Sequence, residues 1–360
     1  MGIKKTATAV IPDGHALRDI PTHSLSIMRP LFYPILINGR FGDPALFVGA
    51  MFERRAIQFD LGDITALPAR NIRRIEHVFV SHTHIDHFIG FDLLLRVLVG
   101  RDATVKLYGP TGFIDRVGHK LRAYQWNLVD RFLCDLVFAV TEIDAAGSAA
   151  TTQFRLKNAF AAEFLGARQL AKGVIHSEPM FRVTTAILEH RTPCLAFALE
   201  EAAHVNIWKN RLAERRFPVG PWLRELKRAV IESRPDDHRI EVPQGEGAAT
   251  RPMPLGDLRD FLSVTRGQKI GYVTDAADTP GNRRAIIDLV DGADLLYIEA
   301  PFAEADATLA AERAHLTTRA AGEIAREAGA RRVEPFHFSP RYEGQEERMV
   351  AEVMAAFERH

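Results

Sequence analysis

The stretch Ser81-His82-Thr83-His84-Ile85-Asp86-His87 constrains this chain more than any other. It follows an apolar, β-rich run, Val78-Phe79-Val80, which predicts a buried strand. The run beyond it, Phe88 to Leu95, predicts a helix. A strand-to-helix loop therefore carries three imidazoles and a carboxylate. In extended backbone His82 and His84 point to the same side, because residues two apart share a face. Two converging neutral imidazoles make half of a zinc site. Asp86 and His87 open the helix, turn away from that pair and are placed to hold a second ion beside the first. A carboxylate also suits a helix N-terminus. Such a loop must be completed by ligands from elsewhere in the chain.

Composition narrows the field of partners. The 360 residues hold 46 lysines and arginines against 46 aspartates and glutamates, so no overall basic field draws a polyanion. Any nucleic-acid binding has to rest on a local patch. Cys134 and Cys194 lie far apart in apolar runs, which reads as buried thiols in a reducing compartment. No apolar run reaches membrane-spanning length, and the longest is broken by Arg96. The opening Met1-Gly2-Ile3-Lys4-Lys5-Thr6 has too short an apolar part for a signal peptide, although it fits a myristoylation pattern. A cytoplasmic enzyme or binding protein is the expectation.

Residues up to about Thr22 read as a loosely ordered lead-in. Short apolar runs from Leu31 to Phe59, parted by Gly and Pro, predict strands joined by tight turns, ending in the acidic turn Asp60-Leu61-Gly62-Asp63. Further strands are expected at Thr104–Tyr108, Asp135–Val140, Gln153–Leu156, Phe181–Leu188 and Cys194–Leu199, with a helix through Phe113, Val117 and Leu121. After about Gly267 the rhythm returns, with strands at Ile270–Val273, Asp294–Ile298 and Val333–Phe336. Helices begin near Asn282 and at Thr317 or Thr318, and a terminal amphipathic helix closes the chain. The repeated sheet-then-helix order predicts an α+β protein with two packed βα layers.

The segment between, residues 201–267, differs in character. Two helical pieces, Ile207–Arg216 and Trp222–Ile231, flank Phe217-Pro218-Val219-Gly220-Pro221, and a Gly- and Pro-rich stretch follows. This reads as an arm inserted in the main body. Its helices carry Lys209, Arg224 and Lys227 among other basic residues, interleaved with Trp208 and Trp222. That pattern suits a nucleic-acid-binding face, and equally a solvated face whose tryptophans pack inward.

His190, Asp275 and His337 each lie at or just beyond the C-terminal end of an expected strand, where sites on sheet scaffolds gather. A two-metal centre can then be written without leftovers. His82, His84 and His190 hold one ion, Asp86, His87 and His337 the other, and Asp275 bridges them. Each ion keeps an open position for a shared hydroxide, as catalytic sites require. Nitrogen and carboxylate donors without thiolates favour zinc, with manganese or iron as alternatives.

These residues resemble the metallo-β-lactamase superfamily and, within it, the ribonuclease Z family of endonucleases that trim the 3′ trailer from precursor tRNA. Tyr108-Gly109-Pro110, Glu189-His190-Arg191-Thr192-Pro193-Cys194, the Gly-Pro region Pro218 to Lys227, His315-Leu316-Thr317 and His337-Phe338-Ser339-Pro340-Arg341-Tyr342 resemble further motifs of that family. The resemblance runs from about Ala56 onward. It implies a four-layer αβ/βα sandwich spanning residues 1–360 as a single domain, with the 201–267 arm gripping substrate through Lys209, Arg224 and Lys227. It further implies a homodimer, two divalent ions, and a phosphate contact by Arg341 beside Tyr342; a structural ion pair is the other reading of Arg341.

Two departures accompany the resemblance. No Gly-Thr-Gly turn precedes Asp60, and Ile298-Glu299-Ala300-Pro301 stands where the family carries His-Glu-Ala-Thr. That histidine is thought to protonate the leaving oxygen, which isoleucine cannot do. Glu299 is retained and His315 is expected nearby, so Asp86, Glu299 and His315 are the candidate catalytic side chains. Three functions fit in this order: a ribonuclease Z-like phosphodiesterase acting on tRNA, a diverged hydrolase of a small phosphodiester, cyclic nucleotide or ester, and a weakly catalytic RNA-binding protein.

Overall fold

The computed structural model describes residues 31–50, 54–202, 204–244 and 249–359. The expected lead-in and the myristoylation pattern lie outside them. Eight strands from Phe32–Leu36 to Ala162–Gln169 form one sheet in simple chain order. Its centre, Ala56–Phe59, Ile75–Phe79, Ala103–Pro110 and Leu136–Ile143, is parallel, and its flanks are antiparallel. A six-stranded sheet collects the later strands. Val333–Phe336, Leu295–Glu299 and Lys269–Val273 run parallel, and Pro193–Glu201, Phe181–Glu189 and Val174–Ser177 follow antiparallel.

Period-two alternation decides which face meets which layer. Val78 and Leu107 point outward from the first sheet onto the helices Phe91–Leu98 and Phe113–Arg122, where Leu94, Leu98, Val117 and Leu121 meet them. Phe59, Phe79 and Tyr108 point inward against Phe197, Tyr272 and Phe336 of the second sheet. Leu296 and Ile298 point out the other way, onto helices Pro280–Val290, Thr318–Glu327 and Glu346–Phe357. The result is helix, sheet, sheet, helix: the four-layer α+β sandwich expected from the sequence.

Local chemistry sets the helix boundaries. Thr279 caps Pro280–Val290 by accepting from the Asn282 amide at 3.2 Å, with Pro280 in the first turn. Of the two threonines considered for the next cap, Thr317 does it, accepting from the Ala320 amide at 3.1 Å. The expected single helix after the histidine motif is two, Ile85–Phe88 and Phe91–Leu98, parted at Gly90. A Cβ at Gly90 would lie 2.2 Å from the Gly62 carbonyl oxygen, so the break is where the acidic turn packs onto the motif.

The arm leaves the body after Pro193–Glu201 and rejoins it at Lys269–Val273, two strands that pair directly. Its helices are Lys209–Glu214 and Trp222–Ile231. The Gly- and Pro-rich stretch supplies a strand, Thr250–Pro254, that pairs with Arg239–Pro243. Pro252 and Pro254 are tolerated there because a two-stranded sheet consists of edges. Leu212, Trp222, Leu226, Ile240 and Leu255 give the arm its own small core. The strand Ala162–Gln169 carries no sequence signal, since adjacent exposed Phe164 and Leu165 break the alternation. Among the described residues no helix is long and apolar enough to cross a membrane. Both cysteines are free; Cys194 is buried as expected, whereas Cys134 is only partly so.

Candidate metal centre

The loop after Ile75–Phe79 meets three loops that leave the second sheet. His190 follows Phe181–Glu189, Asp275 follows Lys269–Val273 and His337 follows Val333–Phe336. Asp60, Asp275 and His337 all have positive φ, 51°, 45° and 60°, at the point where each chain turns out of its strand. Such backbone costs about 1–3 kcal/mol per residue and persists where surrounding structure enforces it, typically at functional sites.

Donor atoms converge in two groups around one carboxylate. His82 Nε2 lies 2.8 Å from His84 Nδ1 and 3.5 Å from Asp275 Oδ2, and His190 Nε2 lies 3.2 Å from the same oxygen. On the other side Asp275 Oδ1 is 3.4 Å from His87 Nε2 and 3.0 Å from His337 Nδ1. Asp86 Oδ2 closes the second group, 3.4 Å from His87 Nε2 and 3.5 Å from His337 Nε2. His82, His84, His190 and Asp275 offer donor atoms within 4.8 Å of one another, and so do Asp86, His87 and His337, near enough in each case to share an ion.

The side chains behind the donors fix their orientation. Asp60 is fully buried and accepts from the Ser81 amide at 2.6 Å, the Ser81 hydroxyl at 2.9 Å and the Tyr272 hydroxyl at 2.8 Å. It also takes His87 Nδ1 at 2.9 Å, which aims Nε2 into the centre. His190 Nδ1 donates to the Ala314 carbonyl at 2.8 Å, leaving its Nε2 toward Asp275. Thr274 Oγ1 donates to Asp275 Oδ1 at 2.8 Å. Sequence reasoning treats Asp60 only as a turn residue. Its one signal is an acid directly after a β run, in the same pattern as Asp275.

Electrostatics favour cations at this place. Burial pushes the His82 imidazole down to about 3 and lowers His84, so both are neutral lone-pair donors. Asp86 and Asp275 are held below the usual carboxylate range, against the cost of burial, by His87 and His337. Burial also opposes charge on His87 and His337, yet Asp275 and other carboxylates raise both well above normal. The field that draws protons onto these two imidazoles draws a divalent cation in their place. His87 Nε2 is buried with no hydrogen-bond partner, the expected state of a donor reserved for an ion. The donor set thus fits divalent metal.

Glu299, fully buried, lies behind the centre. It accepts from the amides of Ala276 at 2.9 Å and Leu316 at 3.1 Å, and from His315 Nδ1 at 2.9 Å. Burial opposes its charge, but His315 draws it down to about 2; Glu299 in turn raises His315 against desolvation. Ile298, the substituted position, is sealed in the outer apolar core beside Ile286 and Leu316. Two cavities of about 240 and 370 Å³ open over the centre; His315, Asp86 and His337 line both. Arg313, which no sequence motif singles out, lines both as well.

The remaining candidates lie farther out. Arg341 Nη1 is 3.8 Å from Asp306 and Tyr342 is buried, its hydroxyl donating to Asp306 and accepting from the Ala303 amide at 3.2 Å. Lys209 and Arg224 are exposed and Lys227 half-buried on the arm helices. None of the three lines the two cavities. Trp222 packs inward as one reading of the arm requires, while Trp208 is 45% exposed under the Arg211 guanidinium.

No family model matches the chain. Among curated proteins, a ribonuclease Z of Deinococcus radiodurans is 31% identical over 281 residues, 78% of this chain and 80% of that protein. The chain belongs to the ribonuclease Z family. A ribonuclease Z of Kineococcus radiotolerans is 32% identical over 286 residues, 79% of this chain and 72% of that protein. Human tRNase Z, short form, superposes with a TM-score of 0.48 at 18% identity, covering 86% of this chain and 92% of that one. As a member of the ribonuclease Z family the protein is a metal-dependent hydrolase with the metallo-β-lactamase fold.

Proposed function

We propose that this ribonuclease Z family member hydrolyses RNA phosphodiesters, with the 3′ trailer of precursor tRNA as leading substrate, at a centre for two divalent ions, zinc first among them. The observation that carries the proposal is Asp275, whose Oδ2 faces one histidine group and whose Oδ1 faces the other. His82, His84 and His190 would hold one ion, and Asp86, His87 and His337 the other. Bound there, two divalent ions supply Lewis acidity toward a phosphate oxygen and lower the pKa of water.

The chain's own residues do the rest. Asp60, Thr274 and the Ala314 carbonyl hold the donors in one geometry before substrate arrives. His315, its Nδ1 bound to Glu299 and its proton affinity raised by that carboxylate, donates a proton from Nε2 to the leaving oxygen. It thereby covers the role that Ile298 cannot fill. Arg313 and, at the rim, Arg341 bind phosphate oxygens, for which a guanidinium is shaped. The arm, residues 201–267 within a single domain, grips the RNA body through Lys209, Arg224 and Lys227. Within this proposal the protein works in the cytoplasm and as a homodimer.

Incubation of the metal-loaded protein with a precursor tRNA bearing a 3′ trailer tests the assignment. Release of the trailer is expected. Cleavage of bis-p-nitrophenyl phosphate alone would move the protein to small phosphodiesters, and tight binding without product would make it an RNA-binding protein.

A further inference from the structure

A second imidazole cluster lies between the two sheets, away from the strand ends that build the first. His77 comes from the middle of Ile75–Phe79 in the first sheet and faces inward. His176 comes from Val174–Ser177, the edge strand of the second sheet, and Glu178 follows just after it. The rings of His77 and His176 are 4.4 Å apart at 50°, and His176 Nε2 is 3.6 Å from Glu178 Oε2. One donor atom from each of the three residues lies within 4.8 Å of the others. The stacked aromatics Phe59, Phe79 and Tyr108 separate this cluster from Asp60 and the first centre.

Three features make it a ligand set rather than a packed polar pair. His77 and His176 are 3% and 8% exposed, yet His77 Nε2 and His176 Nε2 are both buried without a hydrogen-bond partner. Unsatisfied buried polar atoms are rare, and two on facing rings have a shared cause. His176 Nδ1 meets the Tyr108 hydroxyl at 2.9 Å, the outer hydrogen bond that fixes a metal-bound imidazole in its tautomer. Arg55 Nη1, 3.0 Å from Glu178 Oε1, orients the carboxylate.

We propose that His77, His176 and Glu178 form a separate divalent transition-metal site of the zinc class that ties the two sheets together. Ligand bonds of about 2.0–2.2 Å in a tetrahedral set put donors about 3.3–3.6 Å apart, the spacing of His176 Nε2 and Glu178 Oε2. A cavity of about 410 Å³ that His77, Glu178, Arg73 and Lys106 help to line adjoins the cluster and would admit a solvent ligand. Arg55, Lys106 and Arg168 surround the site with positive charge, which rejects weakly held hard ions. It leaves metals with strong nitrogen affinity, zinc, cobalt or nickel, over magnesium or calcium.

The test counts ions. Metal-free full-length protein is dialysed against Co²⁺ or Zn²⁺ and the ions per chain are measured, alongside His77→Gln and Glu178→Gln. Each variant is expected to hold one ion fewer than the wild type and to lose part of the melting-temperature rise that zinc produces. That deficit reads this site whatever the first centre holds. Should His77→Gln fail to fold, Glu178→Gln at the rim carries the test. Equal ion counts in the wild type and the folded variants would overturn the site. Stabilisation by inorganic phosphate with no change in ion count would overturn it in favour of an anion pocket.

Discussion

Among the described residues imidazole clusters stand in two places, and they are assembled in opposite ways. At the first centre four donors come from one strand-to-helix segment, His82 to His87, and the loops after three strands of the second sheet complete it. Between the sheets the two imidazoles come from regular strands, and Glu178 stands directly beyond the end of one of them. The first is rimmed by cavities lined with His315 and Arg313 and is rich in carboxylates. The second has one carboxylate, Glu178, already engaged with Arg55. Loops at strand ends can adjust and admit substrate; strand interiors cannot. On the two proposals above, the difference would separate a centre for chemistry from one for holding two layers together.

Mutations should divide along the same line. Asp275→Ala removes the carboxylate shared by both donor groups; loss of turnover and a fall in bound metal are expected, with the sandwich still folded by circular dichroism. Full activity in that variant would erase the contrast. His315→Ala should lower the cleavage rate by about 10²–10⁴-fold while leaving metal content unchanged, since the proposal has it act on the leaving group and not on the ions. A rate unchanged across that substitution would remove His315 as proton donor. Asp60→Asn keeps the shape but loses the acceptor that aims His87; about 10–100-fold in metal affinity or activity is the expected cost.

Smaller effects sharpen the comparison. Replacing Lys209, Arg224 and Lys227 together by alanine should flatten the salt dependence of tRNA binding, by about one unit of slope for each phosphate no longer neutralised. A slope that does not move would detach the arm from the RNA. The inter-sheet cluster should appear in stability instead. His77 has a folded pKa of about 3 against an ordinary 6.5, so the unfolded chain binds the proton more readily. Its contribution in the metal-free protein is present above about 6.5 and is lost as pH falls through that window toward 3. His77→Gln should therefore melt with a shallower decline between pH 7 and pH 4 than the wild type, measured without metal.

Legibility in the sequence follows the same geometry. The four layers are readable because buried parallel strands such as Leu295–Glu299 are nearly all apolar, and because Thr279-Pro280 and Thr317 mark helix starts. The first centre is readable because clustered histidines on a strand-to-helix loop need no tertiary knowledge. Asp60 is hidden because one acid in a turn carries no signal until Ser81, His87 and Tyr272 are seen converging on it. His77 and His176 are single histidines in short strands of mixed polarity, far apart in the chain, and only the packing of the two sheets brings them together. The arm hairpin is hidden because Pro and Gly signal loops, whereas an edge strand accepts them.

The most direct measurement takes one preparation through two readings: ions per chain, then cleavage of precursor tRNA with a 3′ trailer, for the wild type beside Asp275→Ala. The account predicts that the wild type loads the centre and releases the trailer, and that the variant, short of metal there, does not. Trailer release by Asp275→Ala at the wild-type rate, or no release by a fully loaded wild type, would contradict it.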